Sequence, residues 1–380
     1  MNCWRTGLAS PVIDVDVVRC SMRAADELRA PVHDIDTMAP VLVPLERDGA
    51  LDAHVAPPRI GGAMTLVGEG VQPLPDNRFR VGDAEVARVV EWVGPMAPVG
   101  DLFPHTPADV WHDHEEDLAP TFWDPVTRRC RLAVQTWVVW VDGLTIVVDT
   151  GVGNDRDRPQ SPVFHQLATE FDSALEAVDV DRRQVDVVVN THIHLDHVGW
   201  NTFWDNGGWS PMFPNAGYFV SAEDYQYFHP DNASARRAPR TPDETARFEG
   251  MRLVVEDSIL PIAESGQLVT WSGRRRLSPS LELVLAPGHT PGSAVLWLDE
   301  VAVFVGDLTH TPLQIHRPDD PCSFDVDATT AAAGRRRVLA QAARRQALVV
   351  PAHYPGHGAA TVLSDGGGYR LSRWAATSSI

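Results

Sequence analysis

Four side chains able to hold a metal ion, His192, His194, Asp196 and His197, lie within six residues in Thr191-His192-Ile193-His194-Leu195-Asp196-His197. Neutral imidazoles with a carboxylate suit a borderline-soft divalent cation, and a turn leaving a strand end can aim several of them into one cavity. The segment closely follows Val185 to Val189, which ends in the apolar run Val187-Val188-Val189 and reads as a buried strand. A chance polar cluster is the bland alternative in a chain with 15 histidines, but the spacing favours a metal site.

Three further segments each present one such group at the end of an apolar run. Pro287-Gly288-His289-Thr290-Pro291-Gly292 presents His289, Gly306-Asp307 presents Asp307, and Pro351-Ala352-His353-Tyr354 presents His353. Taken singly, such a histidine is more often a satisfied structural residue and such an aspartate a turn residue. In this order, at successive strand ends where α/β folds gather their functional groups, they extend the metal site. The nitrogen and oxygen donor set admits Zn, Mn, Fe or Co, with zinc the first expectation.

The elements that must position these groups alternate between strand and helix signals, the pattern of a layered α/β domain. Strands are expected at Glu85 to Val93, Arg131 to Val141 and Leu144 to Val148, with Asp142-Gly143 as a hairpin turn. Further strands are expected at Leu281 to Leu285, Ala294 to Leu298, Val301 to Val305 and Ala347 to Val350. Helical spacing marks Phe164 to Val178, and Ala328 to Gln346 reads as an arginine-studded surface helix. Residues 1–75 lack periodicity and form a poorly patterned N-terminal extension, disordered or wrapping, ahead of a catalytic domain over 76–380.

From about Arg80 to Arg370 the chain resembles the metallo-β-lactamase superfamily. The H-x-H-x-D-H motif, the later histidine in P-G-H-T-P-G, the G-D and the final histidine all match in order. The resemblance implies an αββα four-layer sandwich with two metal ions at one edge of two facing sheets. By the same likeness, one ion takes His192, His194 and His289, the other takes Asp196, His197 and His353, and Asp307 bridges them. Val147-Val148-Asp149-Thr150-Gly151 resembles the family's D-T-G turn, which makes Asp149 a carboxylate orienting a ligand imidazole. Two divalent ions would provide an activated hydroxide near neutral pH, with Asp196 as acid-base residue.

Gly199 to Pro214, the segment around Thr309-His310 and Pro351 to Gly356 look like the branch containing acyl-homoserine lactonases and methyl parathion hydrolase. The expected reaction is opening of a lactone or cleavage of a hydrophobic ester. A thioesterase of the glyoxalase II type, a phosphotriesterase and a metal-dependent lyase or cyclase are the alternatives. Asp307 argues against drug-inactivating β-lactamases, which generally lack it. The aromatic segment after the motif suggests a substrate wall of Trp200, Phe203, Trp204 and Trp209, with His310 at the rim; the alternative, less favoured, is that its rings fill the core. Tyr225 and Tyr227 are both candidates for a tyrosine bonding the substrate carbonyl, or are simply packed on a helix capped by Ser221.

Composition narrows the partners. The formal charge of -19, from 51 acidic and 32 basic residues, would repel nucleic acid and anionic membranes. All basic residues are arginine, so lysine chemistry is excluded and a lysine-lined pocket for glutathione carboxylates is not expected. Cys3, Cys20, Cys130 and Cys322 are scattered, reading as reduced rather than as a disulfide framework. No apolar run approaches a bilayer span or a signal peptide, so a cytoplasmic enzyme acting on a small molecule is expected, with a homodimer left open.

Overall fold

The run Val187-Val188-Val189 is apolar at every position because both of its faces are covered, as expected of an inner strand. Val187 and Val189 point into one apolar cluster and Val188 into another. The same alternation recurs in the neighbouring strands, where Trp137 and Val139 face one way and Val138 the other, and Ile146 and Val148 oppose Val147. A computed structural model describes residues 71–74, 77–375, 377 and 379. Residues 1–70, with Cys3 and Cys20, lie outside the described residues.

Along the chain, β1 (Val71–Leu74), β2 (Arg78–Val81) and β3 (Ala84–Pro98) form an antiparallel meander. Three short helices follow, α1 (Val99–Leu102), α2 (Ala108–Asp113) and α3 (Glu115–Leu118), then β4 (Trp123–Asp124), β5 (Arg129–Val141) and β6 (Leu144–Val148). After α4 (Phe171–Glu176) come β7 (Val187–Val189), the hairpin β8 (Thr202–Asp205) and β9 (Gly208–Pro211), and β10 (Gly217–Ser221). Helices α5 (Ala222–Phe228), α6 (Pro242–Ser258) and α7 (Leu260–Glu264) precede β11 (Leu268–Trp271). The second half contains β12 (Arg274–Arg276), β13 (Leu281–Leu285), β14 (Ala294–Leu298), β15 (Ala302–Gly306), α8 (Leu313–His316), α9 (Ala328–Arg345), β16 (Leu348–Pro351), β17 (Ala360–Asp365) and β18 (Gly368–Trp374).

Two large sheets result, one ordered β1-β2-β3-β5-β6-β7-β10-β11 with β4 on β5, the other running β12 to β18 in sequence. Val139, Ile146 and Val189 of the first pack against Leu283, Leu296, Phe304 and Val350 of the second. Outside the first sheet, Phe171 and Leu175 of α4 cover Val138, Val147 and Val188; outside the second, Val338, Leu339 and Ala342 of α9 cover Val303, Val305 and Val349. This is the αββα sandwich, with β7, β15 and β16 all ending at one edge.

Most expected strands are present within a few residues, and Asp142 and Gly143 both take positive φ, +54° and +76°, in the β5–β6 hairpin turn. The expected helix over Phe164 to Val178 is a correction, since only Phe171–Glu176 is α-helical. Gln166 takes φ +53°, and the Asn154 side chain bonds both Thr169 N and Thr169 O at 2.8 and 2.9 Å, supplying partners that helix hydrogen bonds would otherwise supply. The apolar spacing there serves two different clusters, Phe164 joining Val134 and Val152 while Phe171 joins the α4 contacts. Helix α9 matches its expected span, capped by Asp327 accepting from Thr330 N and closed by Gln346 in the left-handed region. It is not wholly a surface helix: Ala331, Arg335, Val338 and Ala342 form a buried stripe.

Candidate metal centre

The H-x-H-x-D-H loop is held open by packing on one side and hydrogen bonds on the other. Ile193 and Val198 are fully buried among Val220, Phe228 and Val254, with Leu195 packed on the same cluster, so His194, Asp196 and His197 turn toward the opposite side. Asp149, at φ +56°, accepts from Thr191 N at 2.8 Å and Thr191 Oγ1 at 2.9 Å, and its Oδ2 lies 2.9 Å from His197 Nδ1. The bond fixes Nδ1–H on the carboxylate and leaves His197 Nε2 as the electron-pair donor. His353 is fixed likewise, Nδ1 donating to Ala133 O at 2.8 Å.

The loop carrying His289 is tied to the motif by Asp224, a wholly buried carboxylate at the start of α5. It accepts from Ile193 N at 3.0 Å, Thr290 Oγ1 at 2.8 Å and Gly292 N at 2.6 Å. Burial still raises its pKa to about 6, against the lowering effect of those bonds. Glycine is required at 288, where φ is +134° and a Cβ would stand 2.1 Å from Ala331 N in α9. Asp307 follows Gly306 at the end of β15, and His353 follows Pro351 at the end of β16.

The seven side chains converge as two groups: His192, His194, His289 and Asp307 form one, and Asp196, His197 and His353 the other, the donor atoms of each lying within 4.8 Å of one another. Asp307 faces both. Its Oδ2 is 3.2 Å from His289 Nε2 and 3.7 Å from His192 Nε2, while its Oδ1 is 3.2 Å from His197 Nε2 and 2.9 Å from His353 Nε2. Asp196 closes the second group at 3.8 Å from His197 Nε2 and 3.6 Å from His353 Nε2.

These donors fit divalent cations. His194 Nδ1 lies 3.0 Å from both His192 Nε2 and His289 Nε2, and His197 Nε2 lies 3.2 Å from His353 Nε2, so lone pairs face one another. Such convergence is about that of imidazoles around one ion at roughly 2.0–2.1 Å. Asp307 Oδ1 is also buried without a hydrogen bond, a cost that coordination would remove. Burial and the neighbouring imidazoles push His192 and His194 well below the usual histidine range. They are therefore neutral and ready to coordinate.

A family model described as the metallo-beta-lactamase superfamily matches residues 131–353, which span the ligand set from end to end. The chain belongs to the metallo-β-lactamase superfamily. With that family and a complete donor set goes the enzyme class of metal-dependent hydrolase. Similar solved structures include AbOPH, a hydrolase of the beta lactamase superfamily, at 21% identity and TM-score 0.64, covering 80% of this chain and 97% of that one. AidC, a dizinc quorum-quenching lactonase bound to a product, is 18% identical with TM-score 0.60, covering 80% and 98%. A probable metal-dependent hydrolase from Staphylococcus aureus is 17% identical with TM-score 0.60, covering 77% and 98%. No curated protein matches the chain in sequence.

In this metallo-β-lactamase domain a cavity of about 460 Å³ opens on the ligands, lined by His194, Asp196, Asp307, His310 and His353. Leu132, Val134, Phe164, Phe228 and Met251 supply its apolar wall. The aromatic segment expected to form that wall is a correction. Trp200 is buried, stacked on Phe171 at 5.1 Å with Nε1 bonded to Glu91, and Phe203 packs on the same cluster. Trp204 is 59% exposed and meets Trp209 edge-on in the β8–β9 hairpin, and the Arg156 guanidinium lies 4.0 Å from the Trp209 ring. None of the four rings lines the cavity. The hairpin turns the chain away after Trp200 and spends these rings on the outer layer.

His310 does line the cavity, buried, with Nε2 at 3.1 Å from Asp307 Oδ2. Burial opposes its charge, but Cys322 and Asp307 outweigh that and raise its pKa to about 9. Of the two tyrosines, Tyr227 lines the cavity, while Tyr225 meets the ring of His229, the residue that ends α5, edge-on. Ser221 caps that helix as expected. Sequence reasoning missed Asp224 and Asp325, the latter 3.1 Å from His289 Nδ1; an aspartate inside Phe324-Asp325-Val326 gives no local sign of a partner 36 residues away. Cys130 and Cys322 are buried free thiols. Among the described residues no helix is long and apolar enough to cross a membrane.

Proposed function

We propose that this enzyme uses two divalent ions, zinc in the first instance, to open a lactone or cleave an ester with an apolar acyl chain. The observation that carries the reading is the cavity of about 460 Å³ in which candidate ligands and an apolar wall meet. Its volume is in the range of small-molecule sites. Bound to these residues, the ions would supply a nucleophilic water near neutral pH and electrostatic relief for the oxygen on which charge develops.

The chain's own residues do the rest. Asp196, partly exposed and lining the cavity, is the carboxylate that takes the proton of the attacking water and delivers it to the leaving oxygen. Tyr227 hydrogen-bonds the substrate carbonyl, and Leu132, Phe164 and Met251 receive the acyl chain and exclude water. AidC, being a dizinc lactonase of the same fold, supports both the ions and the substrate class. The test is metal analysis joined to a screen of lactones, esters, thioesters and phosphotriesters. Turnover confined to thioesters or phosphotriesters would replace the lactone and ester reading.

A further inference from the structure

The cavity wall opposite in character to its apolar part is built from arginine. Arg236, Arg237 and Arg247 all line it, together with Glu244. Helix α6 supplies Glu244, Arg247, Phe248 and Met251 at i, i+3, i+4 and i+7, one continuous face that passes from charged to apolar. The carboxylate on that face is already engaged: Glu244 pairs with Arg237 at 2.9 Å and accepts from Arg240 N. Arg236 and Arg247 have no ion pair among the described residues and are held by rings instead. The Arg236 guanidinium lies 4.5 Å from the Phe248 ring and 5.7 Å from Tyr227, and that of Arg247 lies 5.8 Å from Phe324.

Stacking fixes a guanidinium by its faces and leaves its in-plane N–H fork available to an anion. Arg236 is half-buried, and its Nε makes no hydrogen bond. In a chain where acidic residues outnumber basic ones 51 to 32, carboxylate partners are plentiful, yet aromatic faces are used here. We propose that the cavity selects acyl substrates whose far end carries an anionic group, a carboxylate or a phosphate, seated on Arg236 with Arg247 at the same mouth. This rests on the hydrolase reading above and sharpens its substrate class.

The experiment compares matched aryl esters on the metal-loaded full chain: the hexanoate, the monoester of adipic acid and the ω-phosphonate of like length. Wild type should favour one of the charged esters by about tenfold or more in kcat/KM, chiefly through KM, and the margin should shrink as salt rises. Arg236→Gln should bring the ratio of charged to neutral ester close to one, and Arg236→Lys should restore part of it. Arg247→Gln provides a second variant should Arg236→Gln misfold. Which charged ester wins identifies the anion. A ratio near one in wild type, or one unchanged in both Gln variants, overturns the proposal.

Calorimetric binding of adipic monoanilide against hexananilide separates this proposal from the hydrolase reading, because neither compound need turn over. Esters cleaved without charge preference, with the two anilides binding alike, would remove the anion seat and leave the hydrolase. Tighter, Arg236-dependent binding of the monoanilide with no ester cleaved would do the reverse. Monoanilide binding indifferent to Arg236→Gln would mean that its carboxylate sits on the metals, again overturning the seat.

Discussion

Asp325 Oδ1 lies 3.1 Å from His289 Nδ1, so a buried carboxylate from the loop before α9 sets the orientation of a ligand imidazole on a different loop. Asp325 is itself held by Cys322 N at 3.0 Å and by Arg335, reaching from α9 at 3.6 Å. The Asp149–His197 pair does the same at the second group. Removing either carboxylate leaves the donor nitrogen in place but its ring less constrained. Asp325→Asn and Asp149→Asn should each weaken metal affinity by about 10- to 100-fold, measured by chelator competition, with the first acting on the His192, His194 and His289 group. Undiminished affinity in Asp325→Asn would show that His289 needs no such support.

Asp307 faces both groups, so its loss should be felt by both. Asp307→Ala should lower metal content toward one ion or none per chain and bring hydrolysis to background. The fold should persist, because Asp307 sits at the end of β15 above a core it does not fill. Chelation of the wild type should reproduce the loss reversibly. Two tightly held ions in the variant, by elemental analysis, would refute the bridging role.

Proton and metal compete for the same nitrogens. In the metal-free protein, burial opposes a charge on His289, but Asp307 and Asp325 outweigh it and raise the pKa to about 9; Asp307 also raises His353 against the effect of burial. A cation must displace these protons, so apparent affinity should rise with pH by about tenfold per unit for each proton released. The raised pKa also adds stability that is complete below about 6.5 and lost as pH climbs through about 9. Metal-free protein should therefore melt progressively lower over that window. Metal-loaded protein should not, and a metal affinity independent of pH would contradict the assignment of His289.

The convergence of the seven candidate ligands was legible because each sits where an apolar strand stops, and both signals are local in the chain. Strand runs such as Ala294–Leu298 were legible because both faces are buried, which forces apolar residues at every position. The helix expected over Phe164 to Val178 was not, because its spacing mixed contacts to two clusters and the Asn154 side chain replaced helix bonds. Asp224, Asp325 and the arginine mouth were invisible for a related reason. Their partners are supplied by tertiary packing, as when Asp224 joins Ile193 to Thr290, and no window of sequence contains both ends.

The cavity wall provides a direct contrast with the aromatic hairpin. Met251, on the cavity face of α6, is partly buried, whereas Trp204 projects from the β8–β9 hairpin into solvent. If the acyl chain lies along α6, Met251→Ala should cost about tenfold in kcat/KM for long acyl chains, since a largely buried apolar side chain is worth about 1.5 kcal/mol and each 1.4 kcal/mol is tenfold. Short-chain substrates that do not reach Met251 should change by less than about twofold. Trp204→Ala should leave every chain length within about twofold, because the ring it loses touches Trp209 and no part of the cavity. Kinetics on a chain-length series of lactones, with melting temperatures alongside, decide the matter. A chain-length effect in Trp204→Ala and none in Met251→Ala would move the substrate onto the hairpin, and uniform losses with lowered stability in Met251→Ala would make its role packing alone.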